Sequence, residues 1–75
     1  MRITVETGSW AARYVKGTVI SLEISEDSTV MDVITAIGLP ADEVGICILD
    51  GRGIPKDYRL SDGDTLKIHP VIIGG

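Results

Sequence analysis

The stretch from Ser28 to Pro40 limits what this chain can fold into. Val30, Val33, Ile34 and Ile37 stand at i, i+3, i+4 and i+7, which is one apolar stripe on a helix. Thr29-Val30-Met31-Asp32 reads as a capping box, with Asp in place of the usual Glu or Gln. Glu26, Asp27 and Asp32 place negative charge near the helix N-terminus, where the backbone dipole favours it. Gly38 suits a left-handed helix end, and Leu39-Pro40 discourages continuation. A single helix of two to three turns cannot bury its stripe alone. It needs a sheet.

The flanking sequence supplies one. Ile3-Thr4-Val5-Glu6 alternates apolar and polar, as a half-buried strand does. Thr18 to Ile24 repeats the pattern, with Ile20, Leu22 and Ile24 on one face. Thr7 to Gly17, between them, is too long for a tight turn and is expected to be irregular. Val44 to Leu49 is an apolar run closed by the turn dipeptide Asp50-Gly51, and Ile54-Pro55 allows at most a short edge strand. After the turn Asp62-Gly63-Asp64, Thr65 to His69 alternates again, with Leu66 and Ile68 inward. Pro70 is expected to interrupt pairing there. The order of elements predicts an α+β domain over residues 1–69. Its sheet has four to five strands and the helix packs across one face. Residues 70–75 form a tail.

At 75 residues the domain buries only roughly 60% of its unfolded surface, which leaves little room for a catalytic cleft. A single cysteine, Cys47, excludes an internal disulfide scaffold. Met1-Arg2 leads straight into a strand pattern rather than a secretory signal, and no apolar run approaches a membrane span. The cytoplasm is the expected compartment. The net charge is −4 and the basic residues are scattered, with Arg13 and Lys16 the nearest to a patch. Nucleic acid and membrane are therefore not expected partners; a basic groove on another protein is.

Candidate chemistry is sparse. Cys47 and His69 lie on different strands without metal-ligand spacing. Because Ile46 and Ile48 flank Cys47, it is expected to be a buried core residue, and His69 a strand-surface residue. Gly51-Arg52-Gly53 lacks the length, the Lys and the following helix of a phosphate loop. Trp10 and Tyr14 suit either a partner contact or a lid on the open end of the core. The C-terminus stands apart. Val71-Ile72-Ile73 is an apolar leash ending in Gly74-Gly75, two residues with no side chain to anchor them. Two readings stand: a frayed end of the kind common at termini, or a thin arm that can be threaded into another protein's active site with the Gly75 carboxylate as the reactive group. Lys67 and His69 share the sheet face opposite Leu66 and Ile68 and lead to this arm, so they are the expected partner-binding residues.

Leu60-Ser61-Asp62-Gly63-Asp64-Thr65-Leu66-Lys67-Ile68, then Pro70 and Gly74-Gly75, resembles the closing pattern of the ubiquitin-like sulfur carriers of the ThiS/MoaD family. Ser28-Thr29-Val30 and the Asp50-Gly51 to Ile54-Pro55 segment fit as well, while Thr7 to Gly17 matches neither branch. The resemblance implies the ubiquitin-like β-grasp fold. It implies a protein co-substrate rather than an enzyme, or the small subunit of a sulfur-transferring synthase. An adenylating partner, using ATP and Mg, would convert the Gly75 carboxylate to an acyl adenylate. Sulfur would then replace AMP to give a thiocarboxylate for a sulfur-accepting synthase. The Pro70 ending is nearer the molybdopterin type than the thiamin type. A modifier conjugated through Gly75, and a plain interaction module, remain the alternatives.

Overall fold

The computed structural model describes residues 1–72. Its elements are β1 (Arg2–Glu6), β2 (Val19–Glu23), α1 (Val30–Ala36), β3 (Val44–Leu49), β4 (Arg52–Ile54) and β5 (Thr65–Pro70). Short 3-10 turns span Ser9–Ala11 and Ala41–Glu43. The five strands form one mixed sheet in the order β2-β1-β5-β3-β4. β1 and β5 run parallel at its centre, and the other pairs are antiparallel.

α1 forms where the apolar stripe and its cap require it. Thr29 Oγ1 accepts from the Asp32 amide at 3.2 Å, and the Asp32 carboxylate accepts from the Thr29 amide at 2.9 Å. Asp thus closes the capping box as Glu would. Val30, Val33 and Ile34 are fully buried against Ile3, Val5, Leu66 and Ile68 from the two central strands. Gly38, at φ +83°, turns the chain off the helix. Asp50 and Gly51 both carry positive φ, the backbone that a tight β3–β4 hairpin needs.

The turn before β5 is fastened by its own carboxylates. Asp62 Oδ1 accepts from the Arg2 amide at 2.8 Å, and Gly63 N–H donates to the Arg2 carbonyl at 2.8 Å. Asp64 Oδ2 accepts from the Ser61 amide at 2.7 Å. The Asp-Gly-Asp motif therefore sets β5 in register beside β1.

β5 differs from expectation at its end. Pro70 does not interrupt pairing: it lies opposite Val44, and the Val71 amide donates to the Glu43 carbonyl at 3.0 Å. Backbone amides alternate sides along a strand. Since the Val71 amide faces β3, the Pro70 nitrogen faces the other side. The β1 ladder has already ended there at Glu6↔Lys67, so the missing N–H costs no ladder bond.

Candidate functional site

The candidate site is the root of the C-terminal arm and the sheet face beside it. The root is clamped to β3. A register shift between Val44 and Ile46 makes Gly45 a bulge residue, and the end of β5 lies directly over it. A Cβ built on Gly45 would stand 2.4 Å from the Pro70 carbonyl oxygen and 2.9 Å from Val71 Cα. Gly45 is not in the left-handed region, so glycine is required here for space rather than for backbone freedom. Beyond the clamp the chain leaves the fold, with Val71 at 42% and Ile72 at 92% exposure. Ile73, Gly74 and Gly75, three of the expected arm residues, lie outside the described residues.

The same bulge shapes the outer face. Val44 and Cys47 both point into the core although they are three residues apart, which turns Ile46 outward opposite His69. Ile46 is 49% exposed. Lys67 sits between Glu6 of β1 and half-buried Ile48 of β3, and both Lys67 and His69 are exposed. Lys67 and His69 thus share the face leading to the arm, joined by an apolar neighbour, Ile46, that the apolar run of β3 had hidden. Only the odd count of the bulge could have revealed it, and Gly45 was its one signal in sequence.

A shallow cleft of about 310 Å³ opens where β1 and β5 part, lined by Thr7, Trp10, Lys67 and His69 among others. Trp10 is half-buried and packs on the core while flanking this cleft. Tyr14 ties the same irregular segment to the arm root: its hydroxyl donates to the Glu43 carboxylate, on the residue whose carbonyl holds Val71. Accepting that hydrogen bond, the carboxylate holds the Tyr14 pKa above its ordinary value.

Cys47 and His69 do not meet. Cys47 is paired with Ile68 on the core face, whereas His69 is paired with Ile46 on the outer face. Cys47 is 2% exposed, and burial raises its thiol pKa, disfavouring a nucleophilic thiolate. Its burial does not come from its sequence neighbours, since Ile46 and Ile48 lie on the other face. Gly51 is the turn of the β3–β4 hairpin and Gly53 a residue of β4. No helix among the described residues is long and apolar enough to cross a membrane.

A central parallel pair, a crossing helix and an arm leaving the last strand define a ubiquitin-like β-grasp protein. The sequence matches the Mut7-C ubiquitin family model over residues 2–73, and the chain belongs to that family. No curated protein matches the sequence. Among solved structures it is similar to SAMP1 of Haloferax volcanii, a small archaeal modifier protein, with TM-score 0.77, 17% identity and 100% of both chains covered. A Pyrococcus furiosus protein assigned as subunit 1 of a molybdopterin converting factor aligns with TM-score 0.76 and 21% identity, covering 96% of this chain and 99% of that one. The ubiquitin of Caldiarchaeum subterraneum aligns with TM-score 0.64 and 21% identity, covering 100% of this chain and 98% of that one. At these identities the likeness is one of fold.

Proposed function

We propose that the chain is a sulfur carrier protein that acts through a Gly75 carboxylate. The observation that carries this reading is the clamped root: Gly45 and the Glu43 carbonyl fix where Pro70 and Val71 leave the sheet, directly ahead of the sequence Ile72-Ile73-Gly74-Gly75. A fixed exit point on the sheet is what a terminus delivered into another active site requires. A carboxylate is a poor electrophile. An adenylating partner using ATP and Mg would activate Gly75 as an acyl adenylate with release of pyrophosphate, and a sulfur donor would displace AMP. Ile72, Ile73 and Gly74 would thread the partner's channel with Val71 held at its mouth by the clamp, and Lys67 and His69 would dock on the partner. A synthase subunit, of molybdopterin type in preference to thiamin type, would receive the sulfur in the cytoplasm. The acid–base work belongs to these partners, and this chain is not an enzyme.

The test has two stages. The intact mass of the protein isolated from its own cells must end at Gly75. Incubation with an adenylating enzyme, ATP and a sulfur donor must then exchange one terminal oxygen for sulfur. A chain that continues past Gly75 without processing, or a terminus that never exchanges, overturns the proposal.

A second reading is supported by the fold shared with SAMP1 and the Caldiarchaeum ubiquitin: conjugation through Gly75 to lysines of other proteins. Isopeptide remnants of Gly75 in cellular digests would establish it; their absence alongside thiocarboxylate would leave the carrier role alone.

A further inference from the structure

The β1–β5 ladder stops short of two buried polar groups. The Thr4 amide donates to the Asp64 carbonyl at 2.9 Å, so Asp64 turns its carbonyl toward β1. By alternation Leu66 and Ile68 do the same. The next donor in this series, for the Ile68 carbonyl, is the Gly8 amide. The pairing ends at Glu6↔Lys67, and Gly8 leads instead into the turn Ser9–Ala11, so that bond does not form. The Ile68 carbonyl is left without a partner among the described residues, in a residue 1% exposed. Thr7 Oγ1 is buried and has no hydrogen-bond partner either. Buried polar groups are paired as a rule. Thr7 and Ile68 line the same cleft between β1 and β5, so two unmet acceptors lie against one cavity.

The wall of the cleft is the indole of Trp10. A Cβ on Gly8 would stand 2.9 Å from Trp10 Cδ1 and 3.3 Å from its Nε1. Gly8 has an ordinary φ of −106°, so glycine serves here to let the indole lie against the chain. The rim carries both signs of charge. Glu6 and Lys67 are neighbours on the outer face of the sheet, yet no ion pair joins them among the described residues. His69 stands beyond Lys67 on the same face.

We propose that this cleft binds a free α-amino acid with an apolar side chain. An ammonium carries three N–H donors, and the Glu6 carboxylate, the Ile68 carbonyl and the Thr7 hydroxyl are three acceptors around one cavity. The last two lie beneath its wall, so the ligand reaches them as the indole swings aside; pairing them offsets that movement. The α-carboxylate would face Lys67 and His69, and the apolar side chain would lie against the displaced indole. A simple anion at this rim meets Glu6, and a simple cation meets Lys67. A zwitterion meets an opposite charge at each end. The volume, about 310 Å³, is at the small end of ligand pockets and suits a single amino acid. The site is independent of the Gly75 chemistry.

Trp10 is the only tryptophan, so its fluorescence reports the site directly. The test is a titration of the full chain with L-leucine, followed by indole emission and by NMR. The proposal expects a saturable change in emission, with amide shifts centred on Thr7, Gly8 and Ile68. L-leucinamide lacks the carboxylate and N-acetyl-L-leucine lacks the ammonium. Each should bind about tenfold more weakly, through loss of a hydrogen bond to a charged group. Glu6→Gln and Lys67→Gln should each weaken L-leucine binding by about the same factor. The ligand series uses the unaltered chain, so it decides even where a variant fails to fold. No saturable change with L-leucine would mean that the cleft holds water alone, and would overturn the proposal. Equal binding of the three ligands, or shifts centred away from the cleft, would overturn it too. None of these outcomes touches sulfur exchange at Gly75, which is read separately by mass.

Discussion

Gly45 is the residue on which the arm depends most. Gly45→Ala forces a methyl against the Pro70 carbonyl, where contact is backbone to backbone and neither side can rotate away. A cost of about 1–3 kcal/mol is expected, as for other overpacked sites. A shifted urea midpoint together with faster hydrogen exchange at the Val71 amide would confirm that the loss falls at the clamp. Asp62→Ala leaves the Arg2 amide without its acceptor and should cost about 1 kcal/mol. Matched denaturant melts measure it. Tyr14 gives a pH signature. Its native pKa is raised, so the stability from the Tyr14–Glu43 bond is fully present below the ordinary tyrosine value of about 10 and is lost as pH rises through the native one. Glu43→Gln should lower the Tyr14 midpoint in an ultraviolet titration. An unchanged midpoint would show that the bond does not form in solution.

Among the elements, α1 and β5 contrast in how much their local sequence revealed. The helix carried its whole specification within itself: cap, stripe, left-handed stop. Thr29→Ala should therefore cost about 1 kcal/mol, read by thermal unfolding, through loss of the cap alone. The inward pair Leu66 and Ile68 of β5 was equally plain from alternation. Its end was not, because whether a proline breaks a ladder depends on which side its nitrogen faces, and that depends on where the neighbouring strand stops. β3 hid most. A one-residue bulge reverses every later side chain, so Val44 to Leu49 could be read as an apolar run but not divided between core and surface. For the same reason Cys47 was correctly expected in the core on an argument its neighbours do not support.

At the scale of the whole molecule, the sheet places the exposed Lys67 and His69 on the strand that leads to the arm root. Lys67→Glu and His69→Glu change exposed side chains, so folding should be unaffected. Under the proposed carrier role, activation by an adenylating enzyme should fall about tenfold in kcat/KM, chiefly through slower association. A loss of thermal stability instead would assign these residues to the fold. The sheet-and-helix class, the single α-helix among the described residues, its apolar stripe and the turns at Asp50-Gly51 and Asp62-Gly63-Asp64 were determined by sequence alone, because each depends on local backbone preference or on the period of apolar residues. The parallel β1–β5 centre, the bulge at Gly45, the pairing of His69 with Ile46 and the clamp on Val71 were decided only by the tertiary structure. Each is a meeting of residues distant in the chain, and periodicity within one segment carries no information about the register between two.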